Sequence, residues 1–388
     1  MEDFNKNQRP LTPEEILRQM QPIEMPESEK KPVSQPTEQP IRDNPTEYAD
    51  FVPSSQTPPP IPDEQSVWGR NRLDLSQVTN AVERVKQELR KVIIGQEELM
   101  DLLLVAILTN GHVLIEGVPG IAKTLTAKLL AQTLDVGFSR IQFTPDLMPS
   151  DVVGTTVYNM KTSEFMFSEG PVFSNLILID EINRAPAKTQ AALFEVMEEY
   201  QVTVDGETYP MAQPFFVIGT QNPIEQEGTY KLPEAQLDRF IFKINIQYPN
   251  LAEEKAILRR FRNDFEKEVV ENVQPVFSAE GIKACRILVE QVIIRDELLD
   301  YIARIIHDTR HNSDLFLGAS PRASIAIMKA SKAIAAMNGR DFVTPDDIQY
   351  AAYPVLNHRV ILTPEREMEG VETKEVIDNI LKKIEVPR

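Results

Sequence analysis

A lysine and a threonine stand side by side after a glycine-containing loop, and this arrangement can bind phosphate. Residues 112–130, HVLIEGVPGIAKTLTAKLL, run from an apolar, strand-like stretch through the loop into a helical pattern. Backbone N–H groups in such a loop, and the N-terminus of the following helix, attract anions. Lys123 could reach the β- and γ-phosphates, and the hydroxyl of Thr124 could ligate Mg²⁺. Ala122 stands where the usual G-x-x-x-x-G-K-[ST] loop has glycine, which matters only if that position needs a positive φ.

Two adjacent carboxylates end an apolar stretch further along the chain. Residues 175–185 read NLILIDEINRA, in which Asp180 and Glu181 close a strand-like run. Carboxylates at the end of a buried strand are costly unless a cation or a polar ligand uses them. Asp180 could hold Mg²⁺ through its waters, and Glu181 could be the base that orients and polarises an attacking water. The alternative, a strand that simply ends in solvent, is disfavoured by the phosphate loop upstream.

Three more residues could complete a site for phosphoryl chemistry. Asn222 ends the apolar stretch FFVIGTQN, where its amide could hold a water or the γ-phosphate, or could only form a turn. Arg239 ends a short helical stretch, and Arg322 falls in the first turn of a helix. A cation there opposes the helix dipole by a few tenths to about 1 kcal/mol, so an anion is expected near Arg322. The alternative for each arginine is a surface side chain. For Asp238, beside Arg239, a local ion pair is the favoured interpretation.

The elements that must position these residues alternate between helix and strand. Five short apolar stretches predict strands at 112–116, 140–144, 176–180, 215–219 and 240–246. Helical segments lie between most of them, which predicts a parallel sheet covered on both faces. Residues 151–170 alternate polar and apolar types about a short turn, which predicts a β-hairpin inserted into this α/β domain.

After about residue 251 helical spacing replaces the strands, and no further strand is expected. One helix there has Ser320 as its cap, Pro321 at its first position and Gly339 just past its end. We therefore predict a Pro-rich leader over 1–75, an α/β nucleotide-binding core over 76–250 and an all-helical domain over 251–388. The leader buries too little apolar surface to fold by itself, and residues 12–20 within it could be a docking peptide or only a solvated tail.

The composition is that of a soluble globular protein of about two domains. The chain has 388 residues, of which 42% are hydrophobic and 26% charged, and its formal net charge is −18. The single cysteine, Cys285, excludes an intramolecular disulfide and indicates a reducing compartment, so we expect a cytoplasmic protein. We expect no secretory signal and no membrane insertion, because no stretch approaches about 20 apolar residues. The acidic charge, without a Lys/Arg cluster, disfavours nucleic acid as a partner.

Together these motifs resemble the MoxR branch of the AAA+ ATPases. The similar segments are GVPGIAKT, PSDVVGTTVY, FSEGPVFSNLILIDEINRAPAKTQAALFEVMEE, GTQNPIEQEGTYKLPEAQLDRF and GASPRAS, within about residues 77–388. Alanine before the lysine is usual in that branch, and the leader has no counterpart. The resemblance implies a P-loop NTPase (AAA+) core with a five-stranded parallel sheet and an inserted β-hairpin, followed by a helical lid.

The resemblance also implies a role for each motif, with ATP and Mg²⁺ as cofactors. Thr124 and Asp180 would hold the metal. Catalytic roles would fall to Glu181, to Asn222 as sensor 1, to Arg239 as the arginine finger acting on a neighbouring subunit, and to Arg322 as sensor 2. The nucleotide would contact Ile94, Gly95 and Gln96 around adenine, and Gly117, Val118, Pro119, Gly120, Ile121, Ala122, Lys123, Thr124 and Leu125 around the phosphates.

Members of that branch usually form hexameric rings that remodel or mature protein clients. Some act as metal-insertion helpers, often beside proteins with von Willebrand factor A domains. The inserted hairpin would face the ring pore, and there Phe165 and Phe167 could contact a client or could pack against the protein's own core.

Three other functions are weaker alternatives. A motor acting on nucleic acid conflicts with the net charge of −18. A scaffold that binds nucleotide without turnover conflicts with the presence of Glu181. A metal site built from His112, His307, His311 and Cys285 lacks ligand spacing, apart from the pair His307 and His311, for which an exposed helix face is favoured.

Overall fold

The protein is described by a computed structural model that covers residues 72–118, 120–223, 228–262 and 273–387. The predictions for the leader up to residue 71, for its peptide 12–20 and for Pro119 lie outside these described residues. The described chain belongs to one compact unit, Gly69–Arg388.

The first part of the described chain is an α/β core that follows the predicted alternation. Two helices precede the first strand, and most later strands are separated by helices or hairpins. In chain order the elements are α1 (Ser76–Arg90), α2 (Glu97–Leu108), β1 (His112–Gly117), α3 (Lys123–Thr133), β2 (Phe138–Gln142), α4 (Pro149–Val153), β3 (Gly154–Asn159), β4 (Glu164–Glu169), β5 (Leu176–Asp180), α5 (Ala187–Glu199), β6 (Gln201–Val204), β7 (Glu207–Pro210), β8 (Phe216–Gln221), α6 (Glu234–Leu237) and β9 (Phe240–Ile246).

The predicted five-stranded sheet is confirmed, with all of its strand pairs parallel. The strand order is β2-β5-β8-β1-β9. Strands β5 and β9 have the predicted bounds, whereas β2 begins and ends two residues earlier than expected. Because parallel strands end at one edge, the carboxyl ends of β1, β5 and β8 bring the phosphate loop, the acidic pair and Asn222 to the same side of the sheet.

Both faces of the sheet are buried, as the apolar strands predict. In β5, Leu176 and Leu178 join one hydrophobic cluster, while Ile177 and Ile179 join a second cluster on the other face. The first cluster continues through α1 and α2 into the helices that follow the core. The sheet, the two N-terminal helices and the lid therefore share one continuous apolar interior.

The second part of the described chain is a mainly helical lid. Its elements are α7 (Leu251–Phe261), α8 (Ala279–Glu290), α9 (Asp296–Arg310), β10 (Leu315–Leu317), α10 (Pro321–Met337), α11 (Pro345–Leu356), β11 (Ile361–Leu362), α12 (Pro364–Met368) and α13 (Thr373–Lys383). Helix α10 begins as predicted, since the hydroxyl of Ser320 accepts from the N–H of Arg322 at 3.2 Å. The expectation that no strand follows about residue 251 is wrong, because β10 and β11 pair antiparallel. These strands are three and two residues long, too short for a period-two pattern to show.

Two hairpins project from the core. The predicted one is β3–β4, which pairs antiparallel from Gly154–Glu169 to Asn159–Glu164. The second, β6–β7, was not predicted. Its turn is Asp205-Gly206, with positive φ at both residues, which is the strongest short hairpin signal and could have been recognised. The hairpins touch, because the Thr156 hydroxyl donates to the Asp205 carboxylate at 2.5 Å and the Phe167 and Tyr209 rings stack with centroids 4.3 Å apart.

The histidines and the cysteine considered as metal ligands are hydrogen-bonded, stacked or buried within the fold. Buried His112 accepts at Nδ1 from the N–H of Val217 at 3.1 Å, and its Nε2 lies 3.1 Å from the carbonyl of Met197. Complete burial lowers the pKa of His112 to about 4, so the ring is neutral at neutral pH. His307 and His311 stack on the surface of α9, whereas Cys285 is buried in α8. Among the described residues, no helix is long and apolar enough to span a membrane.

Candidate nucleotide site

The loop before α3 has the backbone geometry of a phosphate cradle. Gly120 has φ +85° and Ala122 has φ 60°, both in the left-handed region, and α3 begins directly at Lys123. The ammonium of Lys123 donates to the carbonyl of Gly117 at 2.6 Å, which curls it back over the loop. A Cβ on Gly117 would lie 3.0 Å from the carbonyl of Ile246, so glycine is needed there for close packing. The loop therefore places a lysine and a helix N-terminus in one concave turn.

Asp180 lies at the floor of the same site, where it is only 8% exposed. Its Oδ2 accepts from Nε of Arg140 at 2.7 Å, and its Oδ1 accepts from the hydroxyl of Thr220 at 3.2 Å. The hydroxyl of Thr124 lies 3.5 Å from the same Oδ2. The carboxylate is thus compensated by a cation and a hydroxyl, as a buried charge requires.

Glu181 sits at the edge of the site in a left-handed backbone conformation, with φ 57°. Its N–H donates to the hydroxyl of Thr220 at 3.1 Å, and its Oε2 accepts from Nε2 of Gln142 at 2.9 Å. Arg184 forms an ion pair with the same carboxylate, with Nε 2.9 Å from Oε2. Glu181 is therefore oriented from two sides, by Gln142 of strand β2 and by Arg184 in the turn that follows Glu181.

These groups line one cavity of about 470 Å³. Of the residues predicted from sequence, the cavity gathers the part of the loop from Gly120 to Leu125 apart from Ile121, the acidic pair and Asn222, but not Gly117 or Val118. It adds three polar residues that the sequence analysis missed. Its lining is Gly120, Ala122, Lys123, Thr124, Leu125, Arg140, Gln142, Asp180, Glu181, Thr220 and Asn222. The arrangement offers an ammonium, a guanidinium, hydroxyls, two amides and two carboxylates around a space suited to a triphosphate and a water.

The three residues missed by the sequence analysis are Arg140, Gln142 and Thr220. Gln142 pairs with Asp180 in the parallel register of β2 and β5, which brings the end of β2 to the site. Only strand order reveals this neighbour, because β2 and β5 are far apart in sequence. Thr220 did carry a signal, since it immediately precedes the amides at the end of β8.

A second cleft of about 500 Å³ lies beside the loop, between the core and the lid. Its lining includes the predicted adenine contacts Ile94 and Gln96, together with Tyr353 of the lid. Nε2 of Gln96 donates to the carbonyl of Ile121 at 2.9 Å, which ties this cleft to the phosphate loop. Gly95 has φ +72°, and a Cβ there would lie 2.4 Å from the carboxylate of Glu253. The cleft can therefore hold a base and ribose next to the phosphate cavity.

Magnesium fits the residues that line the phosphate cavity. The carboxylate of Asp180 and the hydroxyl of Thr124 are oxygen ligands of the kind that this ion prefers. Among the described residues, no group of three or more His, Cys, Asp or Glu side chains could hold a metal alone. A magnesium ion bound mainly by phosphate oxygens and water needs only one or two protein oxygens.

The two predicted arginines lie together, but outside both cavities. Nε of Arg239 donates to Oε2 of Glu198 at 2.7 Å, and Nη2 of Arg322 donates to Oε1 at 2.6 Å. Neither arginine is among the described residues that line the two cavities. Hydrogen bonds from Arg239 and then from Arg322 hold the pKa of the Glu198 carboxyl below its ordinary value. Glu198 is thus the anion expected near Arg322.

The expected ion pair between Asp238 and the adjacent Arg239 is wrong, because Asp238 pairs with the distant Arg359 and Arg239 pairs with Glu198. Its Oδ1 accepts from Nε of Arg359 at 2.6 Å, and its Oδ2 accepts from the hydroxyl of Ser320 at 3.0 Å. The remaining donors of Arg359 bind the carbonyls of Asp238, Phe240, Ile241 and Val355. Asp238 therefore fixes the start of α10, and with it the backbone of Arg322, to the edge of the core.

The sheet, the phosphate loop and the acidic pair define a P-loop nucleotide-binding protein of the AAA+ class with a helical lid. The sequence pattern of the ATPase family associated with various cellular activities (AAA) matches residues 112–242, and that of the AAA lid domain matches 307–380. The chain is 41% identical over 323 residues to chaperone MoxR1 of Mycobacterium tuberculosis, covering 81% of this chain and 84% of that protein. The chain belongs to the MoxR family of AAA+ ATPases.

Two further comparisons agree. The chain is 46% identical over 301 residues to the uncharacterised protein YeaC of Bacillus subtilis, covering 78% of this chain and 93% of that protein. A crystal structure of a candidate ATPase from Cytophaga hutchinsonii superposes with a TM-score of 0.75 at 45% identity, over 81% of this chain and 97% of that one.

Proposed function

We propose that this protein hydrolyses ATP in the presence of Mg²⁺ and uses the energy to remodel or mature protein clients. The observation that carries the proposal is the single cavity in which Lys123, Thr124, Asp180, Glu181 and Asn222 converge. For phosphoryl transfer, a protein has to position the reactants and stabilise the charge that develops. The residues of this cavity can supply both.

Each residue has a defined part in the proposed reaction. The ammonium of Lys123 would donate to the β- and γ-phosphates, and Thr124 and Asp180 would hold Mg²⁺, which neutralises charge on the phosphate oxygens. Glu181, oriented by Gln142, would accept a hydrogen bond from the attacking water and align it with the γ-phosphorus.

Two substitutions test this chemistry. Lys123→Ala should weaken binding of ATP–magnesium at least tenfold, because the main cation of the cradle is lost. Glu181→Gln should bind ATP as wild type does but release phosphate at least 100-fold more slowly, because the water is no longer polarised. Binding is measured by titration with a fluorescent ATP analogue, and turnover by phosphate release. Unchanged binding by the first variant, or equal turnover by the second, would disprove the assignment.

We further propose that the subunits assemble into a ring of six, in which Arg239 and Arg322 reach the nucleotide of the adjacent subunit. This proposal is supported by the position of the two arginines, which share Glu198 and lie outside their own subunit's phosphate cavity. An arginine supplied from a neighbour contributes roughly 10³–10⁵ in rate in other phosphoryl-transfer systems.

Protein clients fit better than nucleic acid as the substrate of such a ring. The chain is similar to chaperone MoxR1, and its formal charge of −18 opposes binding to a polyanion. The β3–β4 hairpin exposes Tyr158, Met160, Phe165 and Met166, a set suited to apolar client segments. Metal insertion is one form of client maturation covered by this proposal. Proteins with von Willebrand factor A domains are the proposed partners.

A further inference from the structure

Two arginines that are distant from Glu198 in sequence meet at its carboxylate. Glu198 lies near the end of α5, Arg239 directly precedes β9, and Arg322 lies in the first turn of α10. Each guanidinium takes its own carboxylate oxygen, at 2.7 Å for Arg239 and 2.6 Å for Arg322. The side chain of Glu198 is 34% exposed, and those of the arginines are 28% and 52% exposed, so the group is open to a partner.

The charge of this cluster suits a polyanion. It contains three guanidinium groups and two carboxylates, which leaves one net positive charge in a chain of formal charge −18. The N-terminus of the 17-residue helix α10 adds positive potential at the same place. The members of the cluster are Arg239, Arg322, Arg359, Glu198 and Asp238.

Arg239 and Arg322 each have one stabilising contact that does not involve Glu198. The guanidinium carbon of Arg239 lies 5.8 Å from the centre of the Phe194 ring, a cation–π distance. The backbone of Arg322 is fixed by the bond between Ser320 and Asp238. In the described part of the chain, Glu198 is the one residue that hydrogen-bonds both guanidinium groups, and without it the two like charges would repel each other.

We propose that Glu198 is a positioning residue, which holds Arg239 of the core and Arg322 of the lid side by side for the triphosphate of the adjacent subunit. This inference rests on the proposed function. Glu198 binds one edge of each arginine, and the planar guanidinium has further N–H donors for phosphate oxygens. The carboxylate also couples the lid to the core, so the two arginines arrive at the neighbour as one unit.

The test uses Glu198→Gln in the full chain, with Glu199→Gln as the matched control. Gln keeps the shape of the side chain but removes its charge, and Glu199 is an exposed residue one position further along the same helix. We expect Glu198→Gln to lower kcat for ATP about 10- to 100-fold in the assembled protein, because the arginines are misplaced. KM should change less than about threefold, since the variant's own cavity is intact. Glu199→Gln should match wild type.

A mixing experiment distinguishes positioning from a general structural role. Glu198→Gln has an intact cavity and misplaced arginines, whereas Lys123→Ala has intact arginines and a disabled cavity. In a ring of random subunit order, an equal mixture of the two joins an intact cavity to intact arginines at roughly a quarter of its interfaces. We therefore expect the nearly inactive variants to recover roughly a quarter of the wild-type rate when mixed.

Several outcomes would overturn the proposal. They are wild-type or faster turnover by Glu198→Gln, loss of its assembly in light scattering, and the absence of recovery on mixing. Failure of the proposed function itself is separate, because it would appear in Lys123→Ala and Glu181→Gln measured alone. Arg239→Ala and Arg322→Ala complete the set, since each should lose turnover if the two arginines act on the neighbour.

Discussion

The backbone conformation of Ala122 shows whether the position before Lys123 needs a positive φ. Its φ of 60° shows that this position needs the left-handed region, where a residue with a Cβ costs roughly 1–2 kcal/mol. Of the eight non-glycine residues with positive φ in the described chain, Gln96, Ala122 and Glu181 all border the candidate nucleotide site. Three of these eight strained positions therefore lie where the ligand is expected, and strained backbone is common at binding sites.

Replacing Ala122 with glycine should stabilise the protein slightly. The left-handed strain is relieved, but glycine loses about 0.5–1 kcal/mol more backbone entropy on folding, so we expect a net gain of up to about 1.5 kcal/mol. The control is Ala127→Gly in the interior of α3, which should lower the unfolding free energy by about 1 kcal/mol or more. Urea denaturation measures both. A loss of stability in Ala122→Gly as large as the control's would contradict the left-handed assignment.

At the residue scale, the sequence predicts the chemistry that is local in the chain. Lys123 and Thr124 follow a glycine loop, and Asp180 and Glu181 end an apolar strand, so their neighbours along the sequence identify them. Arg140 reaches Asp180 only because β2 lies beside β5, a pairing that no short pattern encodes.

The β3–β4 hairpin separates two aromatic residues that the sequence groups together. Phe165 is 74% exposed and contacts the ring of Tyr158, with centroids 5.1 Å apart. Phe167 is half-buried and packs against Phe173 and Tyr209. The period of two in a strand places the residues on one face, but the second hairpin covers only Phe167. Phe167 therefore belongs to the protein's own packing.

The two phenylalanines should respond differently to alanine. Phe165→Ala should leave the unfolding free energy unchanged within about 0.5 kcal/mol and reduce ATP-dependent remodelling of an unfolded client. Phe167→Ala should lower stability by about 1–2 kcal/mol, because the aromatic stack with Tyr209 is lost. Reduced, carboxymethylated α-lactalbumin can serve as the client, followed by protease sensitivity. Full remodelling by Phe165→Ala would exclude this residue as a client contact.

At the element scale, the core strands are predictable because both of their faces are apolar and their ends carry turn or charge signals. Strand β5 lies where the sequence places it, at Leu176–Asp180. The ribbon of β10 and β11 could not be found in this way, because Leu315–Leu317 and Ile361–Leu362 are too short to show alternation and are separated by residues 318–360.

At the scale of the whole molecule, assembly should govern the rate. If Arg239 and Arg322 act on the neighbouring subunit, ATP turnover per subunit should rise with protein concentration until the ring is complete, because a lone subunit lacks the arginines at its own cavity. Phosphate release over a dilution series, with light scattering for assembly, measures this. Arg239→Ala should assemble but show a low rate at every concentration. A constant rate per subunit through dissociation would contradict the trans assignment.

The junction of lid and core is also a property of the whole molecule. The sequence predicts a helical region after the sheet, but not its attachment, because the contacts join residues more than 100 positions apart. Arg359, for example, reaches Asp238 and Phe240 from the far end of α11. No periodicity identifies such a partner, and only the folded arrangement reveals that the lid is fixed to the edge strand β9.

The buried Arg359 has a mechanical consequence. Its five hydrogen bonds use all the N–H donors of the guanidinium group, and the residue is only 8% exposed. Separating the lid from the core at β9 would break the four bonds to Asp238, Phe240 and Ile241 at once, whereas the bond to Val355 lies within the lid. We therefore expect this contact to stay closed and to act as a pivot. We expect any rotation of the lid on nucleotide binding to pivot about this contact, so the parts of the lid helices farthest from Arg359 should move most.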